Sequence, residues 1–282
     1  METVWITGAS GLIGNYLVQT APIHAADSKI IPLTRPQLEL TDFAAVRKKF
    51  SEDKPDLVIH CAALSRNLVC QAQPALARKL NIEVTAHLAE LAAEIPLIFF
   101  SSDLVFDGRK GNYVETDSPN PLTIYGETKI AAEKIVLQNP RHSVIRTSLN
   151  CGKSTKGNHA FNEEMRHTWQ TGQTAKLFSD EFRCPIPAVV TARAVWELAA
   201  RSKPGLYHLC GTEKLSRVQM GNLIAARCPE LNPKIEISSL KNYSGPLRPA
   251  DTSLCCDKIQ KLLSFPIPGL TQWLQENPRE FF

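Results

Sequence analysis

Five short β-rich runs, each followed by a stretch of helical pattern, constrain this chain more than any other feature. They read "TVWITG", "KIIPLT", "DLVIHCAAL", "PLIFFSS" and "HSVIRTS", near residues 2–7, 29–34, 57–63, 97–102 and 142–148. Strands separated by helical segments pair in parallel, because a parallel neighbour is reached only through a crossover connection. The expected fold is therefore a doubly wound α/β sheet with helices on both faces, of the Rossmann type. After about residue 150 the alternation loosens. Helical patterns at "FNEEMRHTWQ", "TARAVWELAARS", "SRVQMGNLIAARC" and "GLTQWLQEN" are set among Pro-containing loops. We expect a Rossmann domain over 1–150 and a smaller mixed α/β substrate lobe over 151–282, with segments near 186–205 packing back on the first.

Composition removes several functional classes. The formal charge of +4, from 32 Lys and Arg against 28 Asp and Glu, is too mild to argue for nucleic acid as a partner. No apolar run approaches the roughly 18–20 residues of a membrane span, and "TVWITG" opens a strand with no secretory pattern before it. A cytoplasmic protein is expected. The eight cysteines show neither a C-x-x-C pair nor a partnered His spacing, so they read as reduced thiols, most of them buried.

Between the first strand and its helix lies "TGASGLIG", with Gly8, Gly11 and Gly14. A turn this tight lets backbone N–H groups and a helix N-terminus approach a pyrophosphate, and its place after a first strand is the context that such binding requires. The alternative is a Gly-rich turn without a ligand. Where the second strand ends, NAD enzymes place a carboxylate on the ribose 2′-hydroxyl; this chain has Arg35 in "LTRP". A guanidinium suits a 2′-phosphate, which favours NADP(H) over NAD(H), unless Arg35 simply faces solvent. Glu39 and Leu40 are placed to line the adenine, while Cys61, Ala62 and Ala63 mark a strand end that must let the cofactor pass.

Farther on, "PNPLTIYGETK" sets Tyr125 and Lys129 four residues apart, on one face of a helix. A free phenol has a pKa near 10, so a nearby ammonium is expected to lower it for proton transfer. The same spacing also marks ordinary exposed helix faces. What favours chemistry is "FFSSDLVFDG", a strand whose carboxyl end presents Ser101, Ser102 and Asp103, where ligands sit in such sheets. A hydroxyl there, beside the phenol, gives a carbonyl oxygen two donors.

With these residues in place, the chain resembles the extended short-chain dehydrogenase/reductases, and within them the dTDP-4-dehydrorhamnose reductase family. The likeness runs nearly end to end. It is strongest at "SSDLVFDGRKGNYVETDSPNPLTIYGETKIAAE", "IRTS" (145–148), "FRCPIPA" (182–188), "GLYHLCG" (205–211) and "LRPADTSL" (247–254). The resemblance implies reduction of the 4-keto group of a nucleotide-linked deoxysugar by NADPH or NADH. It gives Ser102 the place of the catalytic Thr or Ser, Tyr125 that of proton donor, and Lys129 that of support for the phenol and the nicotinamide ribose. Gly11, Leu12 and Ile13, with Gly8, Ser10 and Gly14, fall on the pyrophosphate turn; Ser102, Asp103, Leu149 and Arg183 fall on the substrate side. A homodimer would follow the family's habit.

Departures from the family pattern are equally specific. "RTSLNCG" carries Leu149 and Cys151 where the family has two large rings that shape the sugar pocket, and nothing near the glycine turn offers carboxylates for a divalent ion, so no metal is expected. Two other readings remain open. One is an NAD-retaining sugar-nucleotide epimerase or dehydratase, although "DL" after Ser102 replaces the dehydratase acid pair. The other is a non-catalytic cofactor-binding subunit, as in the related regulatory subunit of methionine adenosyltransferase.

Overall fold

The computed structural model describes residues 2–155, 157 and 160–280. Its centre is a sheet of six strands: β1 (Thr3–Thr7), β2 (Lys29–Leu33), β3 (Leu57–His60), β4 (Leu97–Ser102), β5 (Ser143–Thr147) and β6 (Gly205–Leu209). They run in the order β6-β5-β4-β3-β1-β2, every pair parallel. This is the doubly wound α/β fold that the alternation predicts. Both faces of β3, β4 and β5 are buried throughout, which is why "LVIH" and "LIFFSS" read as nearly continuous apolar runs rather than alternating ones.

Side chains on successive residues divide between two cores, as the two-residue period of a strand requires. Val4, Ile6, Ile59, Ile98, Phe100 and Ile145 face one layer, with Leu17, Ala21, Val195 and Trp196. This layer holds helices Leu12–His24 and Ala188–Arg201. Trp196 ties the two helices together by donating from Nε1 to the Leu17 carbonyl at 3.3 Å. Trp5, Val58, Leu97, Phe99 and Val144 face the other layer, with Val46, Val84, Leu88, Ala132 and Val136 from helices Phe43–Asp53, Val84–Leu91 and Ile124–Val136.

The first strand connection leads outward to β2, and the next returns across β1 to β3. Their carboxyl ends therefore open a crevice at a point where the winding reverses, the position at which such sheets bind ligands. The later part of the chain closes over it through small pairings: Asn150–Cys151 with Ile186–Pro187, Phe182–Arg183 with Leu215–Ser216, and Ala175–Phe178 with Ile235–Ser238. β3 ends at His60, earlier than the sequence pattern suggests. Cys61 still donates to the Thr7 carbonyl, and Ala62 to the Thr7 hydroxyl. Among the described residues, no helix is long and apolar enough to cross a membrane.

Candidate active site

The glycine turn is built as a cradle. Gly8 adopts a left-handed backbone, and a Cβ there would stand 2.7 Å from the Ala62 nitrogen; one on Gly14 would stand 2.4 Å from the Gly8 carbonyl. The first position presses β1 onto the end of β3, and the second presses the helix onto the turn. Gly11 caps helix Leu12–His24 without any side-chain hydrogen bond, so the N–H groups of its first turn remain available to an anion. A dinucleotide pyrophosphate fits this arrangement, with Ser10, Leu12 and Ile13 alongside. Ser10 is also held from the far side, its carbonyl accepting from Thr155 Oγ1 at 2.6 Å. Cys61 and Ala62 are half-buried and Ala63 is exposed just beyond β3.

At the end of β2, Arg35 is 71% exposed and its Nε lies 3.2 Å from Glu39. Glu39 also accepts from the backbone and hydroxyl of Thr41, whereas Leu40 packs inward against the core. The guanidinium therefore already has a carboxylate beside it.

Tyr125 and Lys129 belong to helix Ile124–Val136, whose start is fixed twice. Thr123 caps it by accepting from the Gly126 nitrogen at 3.2 Å, and a Cβ on Gly126 would meet the Leu104 carbonyl at 2.4 Å. That close approach sets Tyr125 against the turn Asp103–Val105 at the end of β4. Ser102, Asp103, Tyr125 and Lys129 are all buried. Lys129 Nζ sits 4.0 Å over the Phe99 ring.

The expected lowering of the phenol does not occur in this chain. Burial first, and then the Asp103 carboxylate, hold Tyr125 above its ordinary range, with a hydrogen bond from Ser102 opposing them. Lys129 is itself desolvated: burial brings its pKa down to about 7, against Glu133 and then Cys61, which raise it. The site thus keeps its phenol protonated at neutral pH.

Asp103 organises the wall beside the phenol. Its carboxylate accepts from Ser102 at 3.0 Å, Ser148 at 3.1 Å and Thr252 at 2.9 Å, and lies 3.5 Å from Arg183 Nε. Ser102 in turn accepts from the Leu104 nitrogen at 3.1 Å. Ser101 points away from the crevice, to Glu133.

A cleft of about 190 Å³ opens here, lined by Ser102, Asp103, Tyr125, Ser148, Leu149 and Arg183 together with Glu181, Arg217 and Arg248. Glu181 is fully buried, within 3.1 Å of Arg183 and 2.8 Å of both Arg217 and Arg248. Burial pushes its carboxyl up, but Arg217, Arg183 and Arg248 outweigh that and hold it at about 2. Arg183 is committed internally, donating also to the Phe182 and Pro249 carbonyls. Arg248 keeps 37% of its side chain exposed. Three guanidiniums against the two carboxylates of Glu181 and Asp103 leave the cleft cationic.

Sequence reasoning missed Glu181, Arg217, Arg248, Ser148, Ser65 and Asn67 in the lining of the cleft, and Thr252 behind Asp103. Arg248 and Thr252 lie within the quoted "LRPADTSL", which was the only signal for either. Leu149 reaches the cleft as expected, whereas Cys151 is buried in the core beneath it. Among the described residues, no group of three or more His, Cys, Asp or Glu side chains could hold a metal ion.

A glycine cradle at the switch crevice of a parallel sheet, with Ser102, Tyr125 and Lys129 converging beside it, defines an extended short-chain dehydrogenase/reductase. A family model described as the RmlD substrate binding domain matches residues 1–280, and the chain belongs to that family. The chain is 31% identical over 274 residues to methionine adenosyltransferase 2 subunit beta of Rattus norvegicus, covering 92% of this chain and 82% of that one. It is 28% identical over 280 residues to dTDP-4-dehydrorhamnose reductase of Sinorhizobium fredii, covering 94% and 92%. A crystal structure of a dTDP-4-dehydrorhamnose reductase from Clostridium acetobutylicum superposes with a TM-score of 0.88 at 27% identity, over 97% of each chain. That of the Bacillus anthracis reductase in complex with NADP gives 0.87 at 23% identity, over 98% of each, and shows the shared fold.

Proposed function

We propose that this chain is an NAD(P)H-dependent reductase that converts a keto group of a nucleotide-linked deoxysugar to a hydroxyl, as its dTDP-4-dehydrorhamnose reductase relatives are named for doing. The observation that carries this is Tyr125, buried at the start of its helix and lining a cleft with Ser102 and the guanidiniums of Arg183, Arg217 and Arg248. A nicotinamide nucleotide, when bound, supplies the hydride. The glycine turn and the N-terminus of helix Leu12–His24 hold its pyrophosphate, and Arg35 favours the 2′-phosphate of NADP(H), with Glu39 competing for the same guanidinium.

On the substrate side, Tyr125 donates its proton to the carbonyl oxygen. Ser102 holds that oxygen by turning its hydroxyl proton from Asp103 toward it, a rotation about the Cβ–Oγ bond that leaves Oγ in place for the Leu104 nitrogen and that Asp103 tolerates because Ser148, Thr252 and Arg183 continue to satisfy it. Arg217 and Arg248 take the diphosphate of the nucleotide, a match of planar guanidinium to phosphate. Leu149 presents an aliphatic surface in place of a ring, which leaves room for a bulkier or less planar sugar.

A second reading has one observation in its favour, the 31% identity to a methionine adenosyltransferase subunit. In that reading the chain binds the dinucleotide and a partner without turning over. The deciding experiment incubates the protein with NADPH and, in separate reactions, dTDP-, UDP- and GDP-linked 4-keto-6-deoxyhexoses, following loss of absorbance at the reduced nicotinamide band. Oxidation with one of these ketones supports the reductase. Tight NADPH binding with no oxidation on any of them supports the subunit reading.

A further inference from the structure

We propose that Asn67 is a specificity-determining residue whose side-chain amide accepts a hydrogen bond from a hydroxyl on the sugar ring that carries the reacting carbonyl. Asn67 lines the cleft with Ser102, Tyr125 and the guanidiniums. Its Oδ1 is buried and, among the described residues, has no hydrogen-bond partner. A buried acceptor without a donor is unfavourable and calls for an explanation. No donor of the protein holds this oxygen, so a turn about the Cβ–Cγ bond, a broad torsion in Asn, brings it to a ligand without breaking a hydrogen bond to it. The other side-chain acceptors of the buried wall are taken. Asp103 accepts from Ser102, Ser148 and Thr252, and Glu181 from Arg217 and Arg248 with Arg183 beside it. Ser102 Oγ accepts from the Leu104 nitrogen, and Ser148 Oγ from the Cys184 nitrogen. A sugar brings hydroxyl donors into this cleft, where the three guanidiniums can only donate.

The segment that carries Asn67 is tied to the helix that carries the phenol. Asn67 opens the short helix Asn67–Ala72, and Cys70, three residues on and on the same face, packs in one cluster with Tyr125 and Ala77. Asn67 therefore belongs to the phenol end of the cleft, which is where a ring presenting its carbonyl to Tyr125 must lie. Behind it, the π-helical turn Lys79–Glu83 presents the buried Asn81. Asn81 accepts from the Leu64 nitrogen at 2.8 Å, and donates to the Leu64 carbonyl at 3.1 Å and to Thr128 Oγ1 at 3.0 Å. Thr128 in turn donates to the Tyr125 carbonyl at 2.8 Å. These bonds fix the chain leading into Asn67 relative to Tyr125 without engaging the Asn67 amide, so the backbone is preorganised while the amide can turn to a ligand.

The proposal rests on the reductase reading for the class of its ligand, and binding is measured apart from turnover so that the two can fail separately. Calorimetry on the NADP⁺-loaded protein identifies which of the dTDP-, UDP- and GDP-linked 4-keto-6-deoxyhexoses binds most tightly. That compound is then compared with its 2-deoxy and 3-deoxy analogues in wild type, Asn67→Leu and Asn67→Ala, the last being too small to overpack the site. We expect wild type to bind one of the two analogues about tenfold more weakly than the parent, and both variants to lose about tenfold on the parent and to bind it no better than that analogue. Melting temperatures of the variants should hold, since no hydrogen bond to Oδ1 is removed; a purely structural Asn67 would instead lower them and weaken parent and analogues alike. Variants that keep the wild-type preference for the parent, or a wild type that shows none, overturn the proposal. A protein that binds none of these compounds overturns both this proposal and the reductase reading. Binding with NADPH left unoxidised defeats the reductase reading alone, and the analogue comparison still decides this one.

Discussion

Tyr125 shows how burial and a neighbouring charge decide what a side chain can do. Its spacing from Lys129 suggests a phenol ready to ionise, yet burial, and then the Asp103 carboxylate, hold it above its ordinary range and so in the protonated state required of an acid that completes a carbonyl reduction. Tyr125→Phe should retain NADPH binding, checked by fluorescence titration, and lose about 10²–10⁴-fold in turnover. Arg35 makes a second residue-level prediction. Its guanidinium is shared with Glu39, so Arg35→Ala should weaken NADPH binding more than NADH binding, and Glu39→Gln should strengthen NADPH binding selectively. Equal losses for both cofactors in Arg35→Ala would remove the residue from the 2′-phosphate site. At Leu149 the sequence did locate a cleft residue, but Cys151 two positions on is buried because strand Asn150–Cys151 turns it into the core. Pocket volume is therefore adjusted at position 149, and Leu149→Trp should raise affinity for dTDP-linked 4-keto-6-deoxyhexoses, measured by calorimetry; no change would leave specificity to other positions.

At the scale of elements, helix Ile124–Val136 and the strands beneath it bury titratable groups at an expense that pH should reveal. Lys129 gives up its proton near 7 in the folded chain and near 10.5 in an unfolded one. Across that window the unfolded chain binds the extra proton, so stability should rise with pH from about 7 upward, and Lys129→Met should flatten the rise. His60 and His208 act in the same direction lower down. Both are brought from 6.5 to about 3, His60 by burial and then Lys129, His208 by burial and then Arg146. Their neutral forms contribute stability that is complete above 6.5 and lost progressively as pH falls toward 3. Thermal melts from pH 4 to 10 check both limbs; a melting temperature that does not climb between 7 and 10 would contradict the burial of an ammonium at Lys129. The start of the same helix is equally exacting. Gly126→Ala would drive a methyl into the Leu104 carbonyl, and should reduce turnover more than it reduces cofactor binding, because Tyr125 moves while the glycine cradle does not.

Across the whole molecule, what could be read from the sequence was whatever depends on local periodicity. Val4 to Ile6, Leu57 to His60 and Leu97 to Ser102 announce a buried parallel sheet because both of their faces are apolar, and the glycine turn announces its own backbone. β6 was not placed in the sheet, since five residues flanked by Pro and Gly reveal a strand only when β5 lies beside them. The Glu181 cluster was invisible for a similar reason. Residues 181, 217 and 248 meet because Phe182–Arg183 pairs with Leu215–Ser216 and Phe182 bridges to Asp251, tertiary events that no window of sequence contains. The cleft that results, cationic and closed on one side by a protonated phenol, is what the account requires to be a reducing site. The most direct measurement supplies NADPH carrying deuterium at C4 together with the keto-sugar nucleotide that supports oxidation, and examines the sugar product by NMR and mass spectrometry. The account predicts one deuterium on the former carbonyl carbon with wild type and, over the same time, about 10²-fold less or lower still with Tyr125→Phe; deuterium appearing equally with both, or NADPH consumed without deuterium entering the sugar, would contradict it.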